Sequence, residues 1–108
     1  GVFWHTGEND TYFEPYRRKY AEWMRELIGQ TRTDLKQPGL RWYLSEQHPA
    51  APWKNMEAMS RALRTLAESD PAIRVIPTAE LPHERLHFGT KGTLLLGEAM
   101  ARVYLEGR

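Results

Sequence analysis

Several features that mark common classes of protein are missing from this sequence. It holds no cysteine, which excludes disulfide bonds, thiolate zinc sites, iron–sulfur clusters and a cysteine nucleophile. Its 15 Lys and Arg are balanced by 14 Asp and Glu, so no strong positive field recruits nucleic acid or an anionic membrane surface. No apolar run reaches the length of a transmembrane helix, and residues 1–4 do not form a signal peptide. We therefore expect neither nucleic acid nor a membrane among the partners.

The sequence does contain enough apolar material for a packed core. With 108 residues, of which 41% are hydrophobic, it corresponds to one domain or less, and disorder is not expected. The chain starts within a β-prone run, Val2–His5, that leads at once into a polar loop over residues 6–10. Because a natural domain seldom starts inside a core strand, we expect the chain to be cut from a larger domain.

Apolar periodicity predicts three strands that alternate with three helices. The predicted strands are Val2–His5, Leu40–Leu44 and Ala72–Ile76, and the predicted helices are about Phe13–Ile28, Asn55–Glu68 and Thr93–Tyr104. A capping box from Thr11 to Glu14 and Pro15 in the first turn should start the first helix, and Gly29 should end it. This alternation implies a parallel sheet covered on both faces. Since doubly wound sheets usually have about five or six strands, three strands suggest half of a larger domain.

Polar residues follow each of the predicted strands. They occupy residues 6–10, 45–48 and 78–87, and all four histidines lie there if His5 is counted as a strand end. In an open parallel sheet, ligand sites form at the carboxyl ends of the strands. The alternative interpretation is that these segments are polar only because loops generally are.

Two of these segments resemble sequence blocks of one enzyme family. The letters G-E-N-D at residues 7–10 match a G-x-N-D block that ends a strand, and E-x-x-H at residues 84–87 resembles a D-x-x-H block before the last helix. Both blocks are typical of the SGNH (GDSL-like) hydrolases. Their contexts, W-H-x-G-E and L-H-F-x-x-x-G, are most similar to the sialate O-acetylesterase and acetylxylan esterase branch.

The resemblance implies a fold, a reaction and partners. The fold is a three-layer α/β/α sandwich with a parallel sheet, the flavodoxin-like SGNH fold, of which this chain would be the C-terminal half. The reaction is removal of O-acetyl or similar acyl groups from a carbohydrate by a serine esterase, with no metal or organic cofactor. The partners are an acylated carbohydrate and the N-terminal half of the same domain, and the location is secreted or periplasmic.

The resemblance also assigns catalytic roles to four residues. His87 would take the proton from the nucleophilic serine and later protonate the leaving alcohol. Glu84 would accept the other ring N–H of His87 and so fix its tautomer. Gly7, through its backbone N–H, and Asn9, through its side-chain amide, would donate to the oxyanion of the tetrahedral intermediate.

Two further side chains are candidates for contact with the substrate. His48 and Trp53 follow the second predicted strand. The Trp53 ring could stack on a sugar, and His48 could line the cleft. The alternative for His48 is an exposed loop histidine.

The sequence departs from the family pattern at several points. Glu84 stands where the family has Asp, and the esterase branch usually has Gln at position 6 and Ser at position 9. The family's first block, which carries the nucleophilic serine, has no counterpart here, and neither has the second block, with its oxyanion glycine. None of the serines present has the small-residue turn of an activated serine: Ser45, Ser60 and Ser69.

Two competing functions remain open at this point. His83-Glu84-x-x-His87 satisfies the zinc-peptidase pattern H-E-x-x-H, which works only on a helix. Pro82 before it and Gly89 after it argue against a helix, so we expect no tight zinc site. The other alternative is a non-catalytic α/β module that serves a structural or interaction role.

Overall fold

The chain folds as three short parallel strands that alternate with three helices. The structure is a computed structural model that describes residues 1–7 and 11–107. Its elements are β1 (Val2–Trp4), α1 (Glu14–Asp34), β2 (Trp42–Ser45), α2 (Met56–Ser69), β3 (Ile73–Ile76) and α3 (Thr90–Glu106). The sheet order is β1-β2-β3, and both neighbouring pairs are parallel. The predicted order of elements and the parallel sheet are confirmed.

The sheet is packed on both faces, because successive side chains of a strand point to opposite sides. On one face, Trp42 and Leu44 pack against α1 and α2; on the other, Tyr43 packs with Ile76 and Leu96, the latter from α3. All four residues of β2 are buried, as expected for a central strand. The predicted α/β/α layering is confirmed. The first core cluster also contains these buried residues: Tyr20, Met24, Ile28, Met59, Leu63, Leu66 and Ile73.

The first helix is longer than predicted, because Gly29 does not end it. A glycine inside a helix costs only about 1 kcal/mol, which a few local contacts offset. The added turn is held by a hydrogen bond from Gln30 to Asp34 at 2.8 Å. It is also held by Arg32, whose guanidinium pairs with Asp70 at 2.6 Å and donates to the Leu40 carbonyl at 3.0 Å. These tertiary contacts explain why the stop signal at Gly29 was wrong.

The starts of α1 and α3 also differ from the prediction. Phe13 is the N-cap of α1, and no side-chain capping bond is formed, so the capping box is wrong; Pro15 does lie in the first turn. Helix α3 begins at Thr90 rather than Thr93, because the N–H of Thr93 already bonds to the carbonyl of Gly89 at 2.9 Å. Among the described residues, no helix has both the length and the apolarity needed to cross a membrane.

Candidate active site

The segments that follow the three strands meet at the carboxyl edge of the sheet. Gln47, after β2, donates from Nε2 to the carbonyl oxygen of Thr6, after β1, at 3.0 Å. The ring of His5 lies against that of Phe88, from the segment after β3, with centroids 5.6 Å apart. The carboxyl edge therefore brings together residues from all three connections, and this edge is where parallel sheets form sites.

Gly7 occupies a position in this edge that requires glycine. Its φ is +117°, a conformation that other residues rarely adopt. A Cβ atom there would lie 3.0 Å from the hydroxyl of Tyr20 and 3.3 Å from the Met59 methyl group. Gly7 is itself buried. Asn9, the other predicted oxyanion donor, lies outside the described residues.

His87 and Glu84 lie in an irregular segment between β3 and α3. The Glu84 N–H donates to the His87 carbonyl at 2.9 Å, so the backbone holds the two residues together. Both residues are exposed. The Glu84 carboxylate lies against Gly89, where an added Cβ atom would collide with it. Within the described ranges, no hydrogen bond joins the two side chains, so the orienting role of Glu84 stays a prediction.

His48 is buried, with 7% of its surface exposed, so the alternative of an exposed loop histidine is wrong. Its Nδ1 accepts the N–H of Ala50 at 3.0 Å, which leaves the ring proton on Nε2. Nε2 lies 2.9 Å from the carbonyl of Leu81, to which it donates. The Nε2 bond holds the segment after β3 against the end of β2, and the Nδ1 bond fixes the local turn from His48 to Ala50.

His83 stacks on His48, a contact that the sequence reasoning missed. The ring centroids are 4.5 Å apart and the planes differ by 15°. Burial lowers the pKa of His83, and the nearby His48 and His87 lower it further. The neutral form of His83 is therefore favoured, because two positively charged imidazoles at this distance would repel each other. No signal in the sequence pairs two histidines from different loops.

Aromatic rings flank His87 at the same edge. The ring centroid of Trp53 lies 6.0 Å from that of His87 and 6.0 Å from that of Tyr12. Trp53 is half-buried, and Tyr12 is 43% exposed. These rings offer apolar faces of the kind on which a sugar can stack. Sequence reasoning identified Trp53 but not Tyr12, which lies in a loop without periodicity.

The three serines of the chain are poorly placed to act as nucleophiles. Ser45 ends β2 with only 2% of its surface exposed, and its Oγ lies 2.5 Å from Nδ1 of His5. Ser60 is buried in α2, and the hydroxyl of Ser69 bonds to the Leu66 carbonyl at the end of that helix. Ser45 and Ser60 are thus shielded from a substrate in solution, and the hydroxyl of Ser69 is engaged with its own helix.

The zinc-peptidase pattern lacks the geometry that it needs. Residues 82–88 are not helical, so His83 and His87 are not presented on one helix face. In the part of the chain that the structure describes, no group of three or more His, Cys, Asp or Glu is arranged to hold a metal ion.

Comparison with models of known protein families identifies the family of this chain. A protein-family model described as carbohydrate esterase, sialic acid-specific acetylesterase, matches residues 1–106. No curated protein and no solved structure matches the chain. The matched span contains all six elements and both sequence blocks, and the parallel α/β arrangement is compatible with a fragment of the SGNH fold. The chain therefore belongs to the sialic acid-specific acetylesterase family of carbohydrate esterases.

Proposed function

We propose that this chain supplies the base and the oxyanion-binding groups of a serine esterase that removes O-acetyl groups from carbohydrates. The nucleophilic serine comes from a segment of the same SGNH domain outside these 108 residues. The observation that carries the proposal is the meeting of two segments at one sheet edge. The segment with Gly7 and the segment with His87 are brought together by the contact between His5 and Phe88.

The reaction follows from these groups in two acyl-transfer steps. His87 takes the proton of the serine hydroxyl as its oxygen attacks the acetyl carbonyl carbon. The oxyanion that forms is held by the N–H of Gly7 and the side-chain amide of Asn9. The intermediate collapses with breakage of the bond to the sugar oxygen, which takes the proton from His87. Water, deprotonated by His87, then attacks the acyl-serine, and acetate leaves as the proton returns to serine.

Glu84 orients the base in this proposal. Its backbone hydrogen bond to His87 keeps the two residues close, and both are exposed, so the proposal requires the Glu84 carboxylate to turn from Gly89 to the imidazole. A carboxylate that accepts one ring N–H leaves the other nitrogen ready to accept the serine proton, and it stabilises the imidazolium that results.

The substrate side of the site is built from aromatic rings and from the loop that His48 supports. Trp53 is the platform for the sugar ring, since it lies beside His87 and is half-exposed, with Tyr12 against its edge. His48 is buried, so it contributes to substrate binding indirectly, by holding the Leu81 carbonyl and the loop that this carbonyl belongs to.

Replacing Asn9 by Ala tests the oxyanion assignment. In the active protein, meaning this chain together with the serine-bearing segment, kcat on an O-acetylated sugar should fall roughly 10²–10³-fold, the usual loss for one oxyanion donor. KM should change little, because the donor acts in the transition state. Asn9→Asp keeps the size of the side chain but loses the donor, so it should be at least as damaging. Wild-type kcat in both variants would contradict the proposal.

A further inference from the structure

We infer that Tyr20 and Gln47 are positioning residues for catalysis, because together they fix the direction of the Gly7 N–H by holding the carbonyl oxygen of Thr6. The inference rests on the proposed function, in which this N–H binds the oxyanion. It assigns a role to two residues that no sequence block identifies.

Two donors from different elements converge on the Thr6 oxygen. Gln47 Nε2, from the end of β2, lies 3.0 Å away, and the hydroxyl of Tyr20, from the middle of α1, lies 3.2 Å away. Gln47 and Tyr20 are 7% and 5% exposed, respectively, so their positions are set by packing rather than by solvent. We call this arrangement the Thr6 clamp.

The clamp acts on Gly7 through the planarity of the peptide bond. The carbonyl of Thr6 and the N–H of Gly7 belong to one trans peptide unit, so they point in opposite directions within one plane. Fixing the oxygen with two hydrogen bonds therefore fixes the direction of the N–H. Glycine would otherwise allow this peptide to rotate, because it has no Cβ to restrict its φ and ψ.

A fixed N–H is what oxyanion stabilisation requires. A donor that is already aimed at the developing charge needs no reorganisation when the reaction occurs. Among residues 1–7 and 11–107, no hydrogen bond occupies the N–H of Gly7. The same peptide thus has its acceptor held by two donors, while no group of residues 1–7 and 11–107 accepts from its own donor.

The experiment compares clamp variants with matched controls in the active protein. Tyr20→Phe and Gln47→Met each remove one donor with little change in size. The controls are Tyr43→Phe, which removes a buried hydroxyl that has no hydrogen-bond partner in the described chain, and Gln30→Met, which removes an exposed amide bonded to Asp34. The measured quantities are kcat and KM on an O-acetylated sugar, and the inhibition constant of phenylboronic acid, whose tetrahedral serine adduct places an oxygen in the oxyanion site.

Each clamp variant should lower kcat about 10-fold, as expected for one neutral hydrogen bond, and the double variant should lower it further. KM should stay within about twofold, while the boronate inhibition constant rises by a factor similar to the loss in kcat. The two controls should match the wild type. If the clamp served stability alone, the clamp variants would have a lower melting temperature but no selective loss of boronate affinity.

Two results would overturn the inference. In the first, Tyr20→Phe and Gln47→Met match the controls in kcat and in boronate inhibition, while Asn9→Ala still loses activity. This result would reject the clamp and leave the esterase proposal standing. The other is a wild-type protein that does not hydrolyse O-acetylated sugars at all, which would reject both.

Discussion

Replacing His87 by Ala should lower kcat of the active protein on an O-acetylated sugar by roughly 10⁴-fold or more, the scale seen when a catalytic base is removed from a serine hydrolase. The serine proton then has no acceptor, and the leaving sugar oxygen has no acid. The His87 ring is exposed and lies beside Trp53, so its removal leaves no core cavity, and folding should be unaffected. Initial rates and a thermal melt measure both effects.

Variants of neighbouring residues provide the comparison for His87→Ala. Glu84→Gln should be damaging but less so, since the orienting group selects the tautomer and stabilises the imidazolium. Glu84→Asp restores the family's usual residue and should keep substantial activity. His83→Ala should be mild, because its ring stacks on His48 rather than taking the serine proton. A larger loss at His83 than at His87 would reject the assignment.

The 108-residue chain on its own should show no esterase activity, and turnover should appear only when the serine-bearing segment is present. A base and an oxyanion site without a nucleophile cannot form an acyl-enzyme. We do not expect the chain's own serines to replace it, since Ser45 is buried against His5 and the other two belong to α2. The assay is hydrolysis of an aryl acetate with and without the added segment. Turnover by the chain alone that is lost in Ser45→Ala would contradict this division of roles.

Local sequence signals were sufficient to predict the order of the strands and helices and the parallel sheet. The apolar run Leu40–Leu44 could be predicted as a strand because it is short and leads into a polar segment, and the strand observed there, Trp42–Ser45, is shifted toward the C-terminus by one to two residues. The helices could be predicted because they have clear apolar faces. The extension of α1 past Gly29 could not be predicted, since it depends on the ion pair of Arg32 with Asp70, a residue from a distant part of the chain.

In the candidate site, too, contacts between distant parts of the chain could not be predicted from local sequence patterns. The blocks around Gly7 and His87 could be recognised because each is a short, contiguous pattern. The Thr6 clamp and the stacked pair of His48 and His83 involve residues from separate elements, and their relation exists only after the sheet has brought the strand ends together. Non-local hydrogen bonds of this kind leave no periodicity in a sequence.

The most direct test of the central claim is to identify which serine reacts. The active protein is treated with a fluorophosphonate, which labels an activated serine, and the labelled peptide is identified by mass spectrometry. We predict a single label on a serine outside residues 1–108, absent in His87→Ala and retained in His83→Ala. A label on Ser45, whose hydroxyl lies 2.5 Å from His5, would instead make that pair the catalytic dyad and contradict the account.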